Sequence, residues 1–266
     1  MKVSIVTISF NQAHFLRECI ESVLSQKSNQ FELEYIVVDP GSTDESRDII
    51  ESYGTRLRPI FEKDQGPADG LNKGFSAASG DIFCYLNSDD IFLPQAIERA
   101  ARELQEGKMD ILHGNAIAID ENGNTIRRLY TDKFNLIRAA YGASILIQPS
   151  SFIRRAAFNK TSGFNINNRS NWDGELFVDL ATSGATFCRS PNFYSGYRIH
   201  SGSITGSGSL LEKHKQYRER LYHKITGREF VDRSNLLGVY FHYSRKILNF
   251  RDTFERLKHG PVFGIR

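Results

Sequence analysis

Short apolar runs alternate with helical patterns along the first 107 residues of the chain. Apolar runs bounded by turn residues predict strands at 3–8, 35–38, 57–61 and 82–86, and those at 35–38 and 82–86 are expected to be buried. Between these runs, apolar residues recur every three or four positions, which predicts helices that pack on a sheet. Strands that alternate with helices indicate an α/β fold with a mainly parallel sheet and right-handed crossovers.

Polar residues mark the expected starts of these helices. Asn11 is expected to cap the first helix. Ser42 and Glu45 have the spacing of a capping box, which predicts that the second helix opens there. A third helix is predicted at 67–78, directly before Gly80 and the strand at 82–86.

After residue 107 the pattern becomes mixed. Strands predicted at 110–119 and 125–130 are joined through Asn122-Gly123, a strong signal for a β-hairpin. Further strands are predicted at 150–154, 187–189 and 193–199, with a helix at 173–183. We expect this half to continue the sheet and to hold an acceptor. Residues 201–209 are almost wholly Ser and Gly, which predicts a flexible loop or lid.

The charge is distributed unevenly. The net charge of +3 divides into −4 over residues 1–210 and +7 over residues 211–266. A basic tail on a mildly acidic body suggests a surface partner such as phospholipid or nucleic acid.

The cysteines Cys19, Cys84 and Cys188 show neither metal nor disulfide spacing, which favours a reducing compartment. No stretch approaches the roughly 20 apolar residues that a membrane-spanning helix needs, and residues 1–8 fit a first strand better than a signal peptide.

The segment Asn87-Ser88-Asp89-Asp90 follows the predicted strand at 82–86. Carboxylates at the carboxyl end of a parallel strand face the crevice where open α/β sheets bind ligands. Closely spaced acidic oxygens suit a divalent cation, and such a cation suits a diphosphate. The alternative is a polar turn that leads into the next helix, with Asp90 near the amino end of that helix.

Three other positions are candidates for ligand contacts. Asp39 follows the second strand and is suited to a nucleotide base or ribose, although, taken alone, a capped strand-to-helix turn explains it better. Lys73 is placed to meet a phosphate, or is simply a solvated lysine on a helix. His200 stands before the Ser/Gly stretch and either completes a metal site or is structural.

In content and order these motifs resemble the inverting family 2 glycosyltransferases of the GT-A fold. The matching segments are 7–11, 37–44, 72–74, 80–81 and 87–90, and the resemblance covers roughly residues 2–205. It implies an α/β, Rossmann-like nucleotide-diphospho-sugar transferase fold with a mixed, mainly parallel sheet and a carboxyl-terminal helical extension. The transferase domain is expected at 1–205, with a donor half at 1–107 and an acceptor half at 108–205. Residues 206–266 would form a flexible loop and a basic amphipathic helical tail.

The resemblance also implies roles for individual residues. Asp89 and His200 would bind Mn²⁺ or Mg²⁺. Asp173 would be the catalytic base, with Glu175 as the fallback. The nucleotide-sugar would be held by Thr7, Ser9, Asn11, Asp39, Lys73, Asn87 and Ser88. The sequence departs from the family at Pro40, where a second acid is common, and at Asn87, where the metal motif usually begins with Asp.

The implied activity is transfer of one hexosyl or N-acetylhexosaminyl group from a nucleotide-sugar, with UDP as the expected carrier. The acceptor would be a hydroxyl of a glycan or lipid-linked glycan in cell-surface polysaccharide synthesis. A catalytically weak or inactive binding module is the alternative suggested by Asn87 and Pro40. A nucleotidyltransferase is disfavoured, because residues 9–12 are not the glycine-rich basic loop of such enzymes.

The carboxyl-terminal tail mixes apolar, aromatic and basic residues between 236 and 257. This pattern fits a helix lying on an anionic membrane face. The apolar face alone fits helices packed on the sheet or on a second subunit of a homodimer slightly better, whereas a membrane or a lipid-diphosphate acceptor better explains the surplus positive charge. Nucleic acid is not expected as a partner, since no recognition motif accompanies the charge. We therefore expect a cytoplasmic protein with peripheral contact to the inner membrane face.

Overall fold

A computed structural model describes residues 1–26, 28–202, 211–230 and 236–260. The predicted loop at 201–209 lies outside the described residues from 203 onward. All three cysteines are free thiols, and Cys19 and Cys84 are buried.

The first half of the chain supplies the four neighbouring strands at one end of a single sheet. Its strands run in parallel in the order β3-β2-β1-β4. In this register Ile8 lies opposite Val38 on one side and Asn87 on the other. The carboxyl ends of three neighbouring strands are therefore level. The strands are β1 (Lys2–Ile8), β2 (Glu32–Val38), β3 (Arg58–Ile60) and β4 (Ile82–Asn87).

The second half continues the same sheet in mixed orientation, in the order β8-β6-β9-β5 after β4. β8 is antiparallel to β4 and to β6, β9 is parallel to β6, and β7 forms the predicted hairpin with β6. The predicted strands at 187–189 and 193–199 are one continuous strand. The pairing shifts register near Pro191, which has no N–H to donate, and then resumes. The strands are β5 (Ile91–Phe92), β6 (Ile111–Ile119), β7 (Thr125–Leu129), β8 (Ser151–Arg154) and β9 (Phe187–Arg198).

Helices cover both faces of the sheet. One core lies under α1, α2 and α4, and the other lies under α3 and α7, because alternate residues of each strand point to opposite faces. The predicted helix at 67–78 is confirmed as α3. The helices are α1 (Ala13–Leu24), α2 (Ser46–Ser52), α3 (Pro67–Ala77), α4 (Ala96–Glu106), α5 (Leu136–Ala140), α6 (Arg155–Phe158), α7 (Trp172–Thr182), α8 (Leu211–Thr226), α9 (Leu236–Leu248) and α10 (Phe250–His259). Among the described residues, no helix is both long enough and apolar enough to cross a membrane.

The start of α1 differs from the prediction. Asn11 does not cap this helix; it has a left-handed backbone with φ of 52°, and its side chain accepts a hydrogen bond from the Thr43 N–H at 2.8 Å. The Asn11 N–H donates to the Ser42 hydroxyl at 2.9 Å, and the Ala13 N–H donates to the Asp44 carboxylate at 2.9 Å. The first N–H group of α1 is thus satisfied by the loop after β2, and these contacts tie the two loops together.

The predicted capping box at the start of α2 is also wrong. The helix begins at Ser46, and the Glu45 side chain makes no capping hydrogen bond. The Ser42 hydroxyl instead donates to the Asp39 carboxylate at 2.5 Å. Ser42 therefore contacts Asp39 within the turn and does not cap α2.

Candidate functional site

The ends of β1, β2 and β4 form the base of the candidate site. Ser9 continues β1, and its N–H donates to the Val38 carbonyl at 2.9 Å. Asp39 continues β2, and its N–H donates to the Ile60 carbonyl at 2.9 Å. Ser88 and Asp89 continue β4. The register therefore brings these predicted residues to one edge of the sheet, as expected for ligand sites of open α/β folds.

Asp39 organises the turn that follows β2. Its fully buried carboxylate accepts hydrogen bonds from the N–H groups of Gly41 and Ser42 at 3.0 and 2.8 Å. Arg47 donates to the same carboxylate at 3.2 Å and stacks on the Phe61 ring at 4.8 Å. With the Ser42 hydroxyl bond, these contacts show that Asp39 shapes its own turn.

Asp89 and His200 meet at the centre of the site. His200 Nε2 lies 3.1 Å from Asp89 Oδ2, and the two side chains are 8% and 20% exposed. The His200 ring also packs against Phe15 of α1, with 4.7 Å between the ring centroids. Residues 111 positions apart in sequence thus form a carboxylate–imidazole pair within reach of solvent.

A second acid, Asp90, lies behind this pair. It is 2% exposed; its Oδ1 accepts the Arg198 N–H at 2.9 Å, whereas its buried Oδ2 has no hydrogen-bond partner. Burial raises the pKa of Asp90 well above its ordinary value, and the charge of Asp89 adds to this. The side-chain oxygen of Asn87 is likewise buried without a partner. The polar atoms behind Asp89 are therefore incompletely satisfied.

Arg198, which sequence reasoning missed, holds the Asp89 loop in place. Its guanidinium donates to the Asp89 carbonyl at 2.7 Å, to the carbonyls of Asp120 and Glu121 at 3.0 Å each, and to the Glu18 carboxylate at 2.6 Å. The side chain is 1% exposed. One residue therefore joins β9, the loop after β4 that carries Asp89, the β6–β7 turn and α1. No local sequence pattern marks this role, because its most distant partner, Glu18, lies 180 residues away in the chain.

We expect Arg198→Met to lower the free energy of unfolding by about 2–4 kcal/mol, because three carbonyls and one carboxylate lose charged donors. Urea unfolding measures this change. The exposed Arg102 on α4 provides the control, and Arg102→Met is expected to cost under about 0.5 kcal/mol. Equal losses in the two variants would contradict the anchoring role of Arg198.

Asp173 and Glu175 occupy the first turn of α7 and have different surroundings. Both Glu175 oxygens accept hydrogen bonds, from the side chains of Asn165 at 2.9 Å and Asn168 at 2.7 Å. Glu175 therefore holds the loop before α7 in place. Sequence order alone did not separate the roles of these two acids.

The charge of Asp173 reaches residues of both β4 and α8. Burial raises the pKa of Tyr85 on β4, and the negative charge of Asp173 adds to the effect. Burial also raises the pKa of Tyr217 on α8, followed by the charges of Asp173 and Glu175. A Cβ at Gly174 would lie 2.5 Å from the Tyr217 hydroxyl, so α8 closes over the start of α7. Asp173 therefore acts electrostatically on β4, which ends two residues before Asp89, and on α8.

Two predicted ligand residues, Thr7 and Lys73, make contacts within the fold. The Thr7 side chain is fully buried and accepts a hydrogen bond from the Tyr35 hydroxyl at 3.1 Å. Lys73 contacts the Lys63 carbonyl and lies 3.8 Å from Glu62, beside a groove of about 650 Å³ between α3 and β3. That groove is three strands along the sheet from β4.

Asn72, by contrast, connects α3 to the second half. Its side chain donates to the Phe164 carbonyl at 2.8 Å and accepts from the Phe164 N–H at 2.8 Å. Gly163 has φ of +73°, and a Cβ there would lie 2.6 Å from the Asn72 oxygen. This explains why glycine occupies the turn.

Asp89 and His200 carry ligand atoms of the kind that divalent cations accept. Among the residues that the structure describes, no group of three or more His, Cys, Asp or Glu side chains could hold a metal. Asp89 and His200 offer one oxygen and one nitrogen ligand, a combination that Mn²⁺ accepts. Mg²⁺-type sites commonly use one or two protein ligands and complete their coordination with substrate phosphates and water.

Comparison with known proteins places this site in context. The family model described as Glycosyl transferase family 2 matches residues 4–162. A protein of Nostoc sp., described as an uncharacterized glycosyltransferase, is 33% identical over 148 residues, which cover 52% of this chain and 45% of that protein. The chain spans less than half the length of the first relatives that it matches.

Solved structures show the same fold. S. aureus TarS 1–349 in complex with UDP-GlcNAc superposes with a TM-score of 0.68 at 18% identity, over 97% of this chain and 73% of TarS 1–349. The mannosyltransferase PcManGT from Pyrobaculum calidifontis, in complex with GDP-Man and Mn²⁺, gives a TM-score of 0.64 at 14% identity, over 95% of this chain and 75% of that one. At such low identities the likeness establishes the fold alone.

Proposed function

This chain belongs to glycosyl transferase family 2, and from that premise we propose that it moves a single sugar from a nucleotide-sugar to a hydroxyl of a glycan or lipid-linked glycan. The observation that carries the proposal is the Asp89–His200 pair at the end of β4, level with the ends of β1 and β2. UDP is the proposed carrier, supported by the complex of TarS with UDP-GlcNAc. The proposed pathway is cell-surface polysaccharide synthesis on the cytoplasmic side.

The donor is proposed to lie across the ends of the parallel strands. Ser9, Asn11 and Asp39 flank the nucleobase side, and Asn87 and Ser88 flank the ribose and diphosphate. Because Asp39 is already hydrogen-bonded within its turn, its role is to fix the loop that borders the base. The proposed transferase domain is 1–205, with donor half 1–107 and acceptor half 108–205.

Asp89 and His200 are proposed to hold the divalent cation, Mn²⁺ or Mg²⁺. When bound, the cation would neutralise charge on the leaving diphosphate. The Arg198 side chain keeps the Asp89 loop against β9, which limits movement of this ligand.

Asp173 is proposed as the general base, and its place at the amino end of α7 supports this role. Its carboxylate would take the proton of the acceptor hydroxyl as that oxygen attacks the anomeric carbon. A single displacement inverts the anomeric centre, by the same geometric logic as in inverting glycosidases. Glu175 holds Asn165 and Asn168, and this gives it a structural role in the loop before α7.

The test is a donor screen with the purified chain. UDP-, GDP- and dTDP-linked sugars are incubated with Mn²⁺ or Mg²⁺, and release of nucleoside diphosphate is measured with and without glycan acceptors. We expect one donor to support metal-dependent release that rises with the acceptor, and a product with inverted configuration by NMR. Tight donor binding without turnover would favour the inactive binding module suggested by Asn87 and Pro40. Absence of binding by every donor would contradict the proposal.

A further inference from the structure

Helices α9 and α10 present exposed apolar and aromatic side chains to solvent. On α9 the exposed residues Tyr240, Tyr243 and Ile247 recur at intervals of three and four, so they lie along one side of the helix. Phe250, Phe254 and Leu257 have the same spacing on α10. Further exposed apolar residues of α9 are Leu236, Leu237, Val239 and Leu248. Ile247 is 76% exposed and Leu257 is 82% exposed. This outward face consists of Tyr240, Tyr243, Ile247, Phe250, Phe254 and Leu257.

Polar contacts attach the inner side of the same helices to the body. Asn249, between α9 and α10, donates to the Tyr130 carbonyl at 2.9 Å and to the Asp132 carboxylate at 2.7 Å. Arg245 lies 2.6 Å from Asp132, and the buried Asp252 lies 3.3 Å from Arg127. The helices are therefore fixed to the protein without using their outward face.

The charges are sorted between the two sides. Asp252 and Glu255 are the acidic residues of segment 236–260. Asp252 is buried among arginines, and Glu255 accepts the Arg128 N–H at 3.0 Å. Lys246 and Arg251, in contrast, are exposed beside the outward face, with Lys246 Nζ 4.9 Å above the Tyr243 ring and Arg251 6.0 Å from the Phe250 ring centre. Lys258 is exposed as well.

We propose that the outward face docks on a membrane surface that contains anionic lipid. Apolar side chains would enter the boundary between headgroups and acyl chains, tyrosines suit the polar edge of that layer, and the cations would meet lipid phosphates. The inward placement of both acids removes the repulsion that anionic headgroups would otherwise feel. A second copy of the chain is the weaker partner, because a symmetric contact would bring Lys246 and Arg251 close to the same cations of the other copy. The proposal does not depend on which sugar is transferred, or on whether transfer occurs.

Vesicle sedimentation tests this docking with the full chain. Vesicles of phosphatidylcholine with about one third phosphatidylglycerol are compared with vesicles of phosphatidylcholine alone. We expect binding to the anionic vesicles that weakens as salt is raised. Two triple variants, I247S/F254S/L257S and K246Q/R251Q/K258Q, are each expected to reduce the bound fraction at least about tenfold.

A control variant separates position from net charge. R102Q/K108Q/K160Q also removes three positive charges, but from exposed sites elsewhere on the protein. We expect this variant to bind as the unaltered chain does. Thermal melting and donor-induced stabilisation are expected to stay unchanged in all three variants, which distinguishes failure of docking from failure of donor binding. Failure of the unaltered chain to bind anionic vesicles would overturn the proposal, as would equal losses in the control. A dimer in light scattering that the first variant dissociates, without vesicle binding, would assign the face to a second copy and also overturn it.

Discussion

Asp173→Asn is expected to lower kcat for sugar transfer by about 10²–10⁴-fold while donor affinity is retained. An amide has nearly the size of the carboxylate but cannot accept the proton of the acceptor hydroxyl. Asp173 lies in the first turn of α7, where its charge acts on Tyr85 of β4 and Tyr217 of α8. Initial rates at saturating donor measure kcat, and calorimetric titration of the donor measures affinity.

Glu175→Gln is the matched control, since it makes the same chemical change two positions away. The Glu175 carboxylate holds Asn165 and Asn168, so its loss is expected to reduce the free energy of unfolding by about 1 kcal/mol. We expect kcat to fall less than about tenfold. If Glu175→Gln loses activity on the scale expected for Asp173→Asn, and Asp173→Asn does not, the base has been assigned to the wrong acid.

Asp89→Ala is expected to lower kcat/KM for transfer by about a thousandfold, equivalent to about 4 kcal/mol. The variant removes the carboxylate that faces His200 at 3.1 Å and leaves a single protein ligand for the cation. Stabilisation of the donor complex by Mn²⁺, measured by thermal melting, is expected to disappear with the activity.

The exposed Asp48 on α2 provides the comparison for this change. Asp48→Ala removes one carboxylate far along the chain from the metal motif, and we expect it to leave kcat/KM and the effect of Mn²⁺ unaltered. Retention of metal-dependent activity in Asp89→Ala would show that the cation is held elsewhere.

The strands and most helices of the first half were predictable because their signals are local. Buried apolar runs ended at turn residues, and the spacing of apolar residues placed α1 and α3 within about two residues of where they lie. The GT-A fold followed from the order of the motifs, and the family match confirms it.

What the sequence analysis missed depends on contacts between distant parts of the chain. Asn11 and Ser42 looked like local caps, but each hydrogen-bonds across the two loops, about 31 residues apart. Arg198 reaches Glu18 across 180 residues, and no local pattern records such a contact. The burial of Thr7, in contrast, was predictable from the sequence. Thr7 shares the face of Val3 and Ile5, so period-two alternation directs its side chain into the core.

The most direct test of the account is a crystal structure with UDP and Mn²⁺, with the metal located by its anomalous scattering. We expect the metal peak at the Asp89 carboxylate and the His200 imidazole, with the diphosphate on the metal and the uracil beside the loops after β1 and β2. A metal or nucleotide bound elsewhere, such as in the groove between α3 and β3 that Lys73 lines, would contradict the account.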